Sequence, residues 1–196
     1  MRRLIVGVTG ASGSVYAHAA LRALRSVPDL EVHLVLSQQA RQTIELETDW
    51  SAADYEALAD VVHRDGDLAA SISSGSFLTA GMLVIPCSIK TASAIANSFN
   101  DNLIARAADV CLKERRRLVL VVRETPLHAG HLRLMLHATE AGAVVLPPVP
   151  AFYHRPASVQ DLIDHTVTKV LDQFGLHVDL IPRWQGLGEP TTATGR

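Results

Sequence analysis

An α/β fold, one mostly parallel, doubly wound sheet wrapped by helices on both faces, is what this sequence predicts, and three observations lead there. Short apolar runs alternate along the chain with stretches of three- and four-residue apolar spacing, the pattern of strands followed by helices. Tandem hairpin signals are missing between them, which favours parallel strands joined by helical crossovers. Hydrophobic residues make up 48% of the chain but aromatic ones only 5%, so the apolar content is mainly Ala, Val, Leu and Ile, suited to buried strands covered by helices. At 196 residues the chain has the length of one domain that buries a substantial core without disulfides or metal.

The elements follow in order. Leu4 to Val8 is a continuous apolar run that ends in Thr9-Gly10-Ala11-Ser12-Gly13, and Val15, Ala19, Leu21 and Leu24 then take helical spacing: strand, tight loop, helix. Val32 to Leu36 is the next buried strand, and a helix-compatible stretch after Ser37 carries Ile44, Leu46 and Glu47. Residues 51 to 80 read as a long functional loop with short elements, because apolar pieces such as Val61-Val62 are interrupted by Arg64-Asp65-Gly66-Asp67 and by the small residues from Ser71 to Ser76. Met82 to Ile85 is a strand closed by Pro86-Cys87-Ser88, and Lys90-Thr91-Ala92 opens a small-residue helix. Between Asn102 and Arg115 the residues Leu103, Ile104, Ala107, Ala108, Cys111 and Leu112 define a helix, with Arg115-Arg116-Arg117 at the end where its dipole favours cations. Leu118 to Val122 is a strand, His131 to Glu140 a helix, Ala143 to Leu146 a strand, and Pro147 to Pro150 a stiff connector. Ser158 and Asp161 form a capping pair before the last helix, whose apolar face is Leu162, Ile163, Val167, Val170, Leu171 and Phe174 and which Gly175 ends. Residues 185–196 are small and polar and are expected to form a mobile tail.

Charge and cysteine usage narrow the function. A net charge of −2, with no interleaving of basic and aromatic residues, argues against a nucleic-acid partner. The N-terminal MRRLIVGVTGASG has too short an apolar run for a signal peptide or a membrane span, so a cytoplasmic protein is expected. Cys87 and Cys111 form no CxxC pair, which fits a reducing compartment. His128 and His131 lie three apart without an HExxH pattern or third ligand, and no metal is expected.

Three strand ends carry small or hydroxyl residues: Thr9 to Gly13, Ser37, and Cys87-Ser88-Ile89-Lys90-Thr91. In a doubly wound sheet such ends converge on the crevice where ligands bind. Glycines let the backbone approach an anion, helix N-termini present unpaired N–H groups and hydroxyls add donors, so a phosphate ester is the natural ligand.

The segments VTGASG, SGSF, PCSIKT, NLIARAADVCLKERRRLVLVVRETPL and AFYHRPASVQDL resemble those of UbiX-type flavin prenyltransferases, from about Leu4 to Trp184. Asn102 to Leu127 is the most specific stretch, because it places Arg106, Lys113, Arg123 and Glu124 in the family's arrangement. The resemblance implies a Rossmann-like three-layer flavoprotein domain over residues 1–184, FMN as the flavin, and dimethylallyl monophosphate as the allyl donor. It also implies a homododecamer with sites between subunits and a prenylated flavin passed to a UbiD-type aromatic acid decarboxylase. Carried over by position, Gly10, Ala11, Ser12, Ser37, Ser88, Ile89, Lys90, Thr91 and Arg123 are expected to touch FMN. Arg106, Lys113, Tyr153 and Lys169 are expected on the donor phosphate. Lys169 stands where some relatives have Arg, keeping the charge but losing the planar fork.

Prenylating a flavin at N5 and then C6 requires a leaving phosphate, a stabilised allylic cation and removal of a ring proton. Lys113 and Lys169, with Arg106 and the Tyr153 hydroxyl, suit the first need by holding the charge that develops on the departing phosphate without metal, and there is no Asp-rich DDxxD motif. Glu47 and Glu124, with Ser12 bridging to the flavin, are the expected catalytic residues by the same resemblance. Taken without it, Glu47 reads as an exposed helix-end carboxylate, Glu124 as an ion-pair partner of a nearby Arg, Tyr153 as a packed loop aromatic and Lys169 as a helix-surface lysine. Arg115 to Arg117 read as a solvated helix end or subunit contact, and Cys87 as a buried small residue. A cysteine decarboxylase would need a PxMNxxMW-like motif where this chain has Pro147-Pro148-Val149-Pro150, and a nicotinamide dehydrogenase would need GxGxxG with an acidic residue where Ser37 stands. A non-catalytic flavin carrier or accessory subunit of a decarboxylase is the alternative from another class.

Overall fold

The computed structural model describes residues 1–184 and residue 186. The expected tail falls, Gly186 apart, outside the described residues. Six strands, β1 (Arg2–Val8), β2 (Leu30–Leu36), β3 (Val61–Arg64), β4 (Gly81–Cys87), β5 (Arg117–Val122) and β6 (Val144–Val145), pair in the order β3-β2-β1-β4-β5-β6. Every pair is parallel. The helices are α1 (Ser14–Leu24), α2 (Gln38–Glu47), α3 (Ala52–Glu56), α4 (Ile89–Ala96), α5 (Leu103–Lys113), α6 (Ala129–Glu140) and α7 (Val159–Asp172).

Alternation along the strands sorts the core into two layers. Leu4, Val6 and Val8 face Leu21 and Leu24 of α1 and Val167, Val170 and Leu171 of α7. Ile5, Met82 and Val84 face the other way, against Ala107, Ala108 and Cys111 of α5 and Ala138 of α6. β4 is buried at every residue because both its faces are covered. Strand order reverses between β1 and β4, so their C-terminal ends open side by side into the crevice where such sheets bind ligands.

The least legible region, residues 51 to 80, contains α3, the edge strand β3 and a 3-10 turn at Ser71–Ser73. A capping box between Ser51 and Asp54 starts α3. β3 has only four residues and alternates half-buried with exposed positions, too little apolar signal to stand out in sequence. α6 begins two residues earlier than expected because His128 Nδ1 accepts from the Gly130 N–H at 2.9 Å. The Ser158–Asp161 capping box is present. β6 is shorter than its apolar run, although the Leu146 N–H still bonds the Leu120 carbonyl at 2.9 Å.

Candidate active site

The site is built where β1 and β4 end. Thr9 is buried, its Oγ1 donating to the Pro86 carbonyl at 2.8 Å and accepting from the Ser88 N–H at 2.7 Å, so one hydroxyl ties the two strand ends together. Gly10 follows, and a Cβ there would lie 2.3 Å from Gln39 Cβ; only glycine lets the β1 loop pass the start of α2. Ser37 caps α2 by accepting from the Ala40 N–H at 3.0 Å. Ser88 caps α4, accepting from the Thr91 N–H at 3.3 Å and donating to Thr91 Oγ1 at 3.1 Å. Asn102 caps α5 through the Ala105 N–H at 2.9 Å.

These caps border one cleft of about 360 Å³. All nine expected cofactor residues line it: Gly10, Ala11, Ser12, Ser37, Ser88, Ile89, Lys90, Thr91 and Arg123. Capped helix starts, hydroxyls and two cations around a side-chain-free glycine suit a phosphate-bearing ligand. Thr9, at the first of the expected strand ends, lines it too, as do Gln39, Asp65 and Asn102, which escaped the sequence reading. Asp65 was hidden because it follows the unrecognised strand β3; its carbonyl accepts from the Leu103 N–H at 2.7 Å and its Oδ1 from the Ile104 N–H at 3.3 Å, which supports the start of α5. Burial pushes its carboxyl above the usual range, with Asp101 adding to the rise and the Ile104 N–H and Lys90 opposing it.

Glu47, the last residue of α2, stands behind the loop and outside the cleft lining. Its carboxylate accepts from the N–H groups of Gly13 and Ser14, each at 2.9 Å, and from Ser14 Oγ at 2.8 Å. It therefore neutralises the positive end of α1. Burial opposes the charge, but the Ser12 hydroxyl, the Ser14 and Gly13 N–H groups and the Ser14 hydroxyl outweigh it and hold the carboxyl below its ordinary range. Glu124 lines the cleft with its Oε1 held by the Thr125 N–H at 3.0 Å. Among the described residues it forms no ion pair with an Arg, contrary to its reading in isolation.

None of the four residues expected on the donor phosphate lines the cleft. Arg106 and Lys113 project from α5: Arg106 Nε donates to the Ser73 carbonyl at 3.1 Å, and Lys113 pairs with Glu114. Tyr153 and Lys169 belong to the opposite face of the sheet, the first bonded to His165 of α7 at 3.0 Å and the second exposed on that helix. Within one chain the two pairs do not meet. Arg115 to Arg117 read as a solvated helix end or subunit contact, and the solvated part of that reading needs correction at Arg116, whose guanidinium donates to the Gly75 and Phe77 carbonyls at 2.6 and 2.8 Å and pins the SGSF loop against α5. Spacing could not reveal this, because the partners are backbone groups some 40 positions away.

Burial pushes the Cys87 thiol up to about 12; it does the same to Cys111, where Arg116 and Thr79 only partly counter it, so neither is a nucleophile. Among the described residues no cluster of three or more His, Cys, Asp or Glu side chains is arranged to hold a metal, and no helix is long and apolar enough to cross a membrane.

Known proteins carry the same architecture. Residues 1–171 match the flavoprotein family. The flavin prenyltransferase UbiX of Escherichia coli is 63% identical over 188 residues, which is 95% of this chain and 100% of that protein. The crystal structure of AnUbiX in complex with FMN and dimethylallyl pyrophosphate superposes with a TM-score of 0.93 at 53% identity, covering 95% of this chain and 99% of that one. A dodecameric FMN-dependent UbiX-like decarboxylase, also from Escherichia coli, gives a TM-score of 0.92 at 54% identity over 94% of this chain and 100% of that one. With identity of this order running nearly end to end, the chain belongs to the flavoprotein family and, within it, to the UbiX-type flavin prenyltransferases.

Proposed function

We propose that this protein joins a dimethylallyl group to N5 and C6 of reduced FMN. The observation that carries the reading is the cleft at the β1/β4 switch point, where all nine residues expected on the cofactor converge. Reduced flavin supplies the nucleophilic ring atoms. The chain's task is to grip two anions, orient the reactants and move a proton. Ser37, Ser88 and Thr91 at the starts of α2 and α4 hold the ribityl phosphate, with Lys90 and Arg123 as counter-charges. Gly10, Ala11 and Ser12, which line the same cleft, would touch the flavin. Ser12 Oγ would relay the proton that leaves the flavin ring, taking it up as its own hydrogen moves to the Glu47 carboxylate, which rests ionised behind it, while Glu124 offers a second carboxylate inside the cleft.

The allyl donor is dimethylallyl monophosphate, its phosphate held by Arg106, Lys113, Tyr153 and Lys169. Because α5 and α7 pack on opposite faces of the sheet, these four side chains can share one phosphate only across a subunit boundary. That requirement, together with the dodecameric relative, supports a homododecamer whose sites lie between subunits. Preorganised cations around the leaving phosphate then stabilise the charge that develops on it, the term that dominates many enzymes. The product passes to a UbiD-type decarboxylase. Two free, buried thiols support a reducing compartment, the cytoplasm, as the place of work.

The test is incubation with reduced FMN and dimethylallyl monophosphate, followed by mass spectrometry of the extracted flavin. A gain of one dimethylallyl unit is expected, and Lys113→Ala should weaken donor binding more than FMN binding. Bound FMN of unchanged mass, with Glu47→Gln behaving like the parent, would make the chain a carrier instead.

A further inference from the structure

Of the side chains assigned to the donor phosphate, Tyr153 is the one whose own backbone gives it the least guidance. It lies in the irregular segment between β6 and α7, and it is 58% exposed. Its hydroxyl nevertheless has a defined partner, Nε2 of His165, at 3.0 Å. His165 is only 7% exposed, and its ring lies parallel to that of His154, with centroids 4.9 Å apart and 5° between the planes. The Tyr153 ring packs edge-on against His165 and against Trp184. The imidazole is thus clamped, and the phenol is clamped to it. His165 and Lys169 are four residues apart on α7 and so share one helix face.

We propose that His165 is the positioning residue of Tyr153: its Nε2 holds the phenol oxygen on the face of α7 that carries Lys169, leaving the phenolic O–H to turn toward the donor phosphate. This rests on the reading of Tyr153 and Lys169 as donor ligands. A neutral imidazole with its proton on Nε2 donates to the phenol oxygen, and that oxygen's own hydrogen is then free for an anion. Burial, with His154 and Lys169 nearby, disfavours protonation of His165 and favours the uncharged ring. The arrangement also suits the lysine at position 169. An ammonium is a point charge without arginine's planar fork, so a fixed phenol supplies the directional donor that the lysine lacks.

Two substitutions separate the hydrogen bond from the packing. His165→Phe keeps a ring in the stack but has no ring nitrogen, whereas His165→Gln places an amide near the position of Nε2. In the prenylation assay with reduced FMN and dimethylallyl monophosphate, His165→Phe should raise the donor KM about two- to tenfold, the range of one hydrogen bond, and leave FMN affinity unchanged. His165→Gln should restore most of that loss, and His165→Phe should add nothing in a Tyr153→Phe background. The inference is overturned if Tyr153→Phe raises the donor KM but His165→Phe does not, or if His165→Phe weakens FMN and donor equally. If Tyr153→Phe itself leaves the donor KM unchanged, the donor-site reading falls, and the role of His165 falls with it.

Discussion

Thr9→Val is the most direct test of how the fold makes the site. Valine matches threonine in shape, so the substitution removes a hydroxyl and little else. That hydroxyl donates to the Pro86 carbonyl at 2.8 Å and accepts from the Ser88 N–H at 2.7 Å. The Pro86 carbonyl keeps a second partner in the Thr9 N–H at 3.2 Å, but the Ser88 N–H loses its bond to Oγ1. Two hydrogen bonds at about 1 kcal/mol each, plus up to about 1 kcal/mol for the deprived and partly buried N–H, give a loss of about 2–3 kcal/mol. At about 2–4 °C per kcal/mol for a chain of this size, the melting temperature should fall by about 4–12 °C. FMN affinity should fall as well, because the hydroxyl sets where the capped start of α4 stands relative to the glycine loop. Thr9→Ser keeps both bonds and should lose only about 0.8 kcal/mol for one buried methyl. Thermal unfolding and flavin-fluorescence titration, both at one fixed protein concentration because assembly shifts apparent stability, provide the readouts. Were Thr9→Val to melt with the parent and bind FMN equally well, the stitch between β1 and β4 would have no part in shaping the cleft.

Gly10→Ala should cost about 1–3 kcal/mol and weaken FMN binding, since the new Cβ meets Gln39 Cβ at 2.3 Å and the loop must shift; unchanged flavin titration would contradict it. Both thiols, pushed up to about 12 and buried, should stay unlabelled by a thiol reagent at about pH 8 in the native protein and react only after unfolding. The Arg183 guanidinium, with His177 helping against slight burial, lowers the Asp172 carboxyl to about 2. Its contribution to stability is therefore complete above the ordinary carboxylate value near 3.8 and is lost as pH falls toward about 2. Arg183→Gln should flatten that acid limb of the unfolding curve, and superimposable curves for parent and variant would refute the assignment.

What could be read from the sequence was local in origin. The apolar runs of β1, β2, β4 and β5, the capping pair at Ser158 and Asp161, and the glycine loop after Val8 each depend on residues within a few positions of one another. Such short-range preferences leave their mark in composition and spacing. β3 left too little of that mark, and Asp65 was missed with it. The resemblance named the cofactor and donor residues, but it did not say which of them one chain brings together.

By itself the sequence determined the alternation of strands and helices, the glycine that the first turn demands, and the family to which the chain belongs. Tertiary structure alone decided that Asp65 and Asn102 join the cleft, that Thr9 joins two strand ends 77 positions apart, and that Arg116 serves a distant loop. It alone placed the donor ligands of α5 and α7 on opposite faces. The physical reason is that periodicity tells which side of its own element a residue occupies, whereas the neighbour it meets depends on strand order and on the face each crossover helix covers. Both follow from burying the whole core at once, and no single segment carries that information.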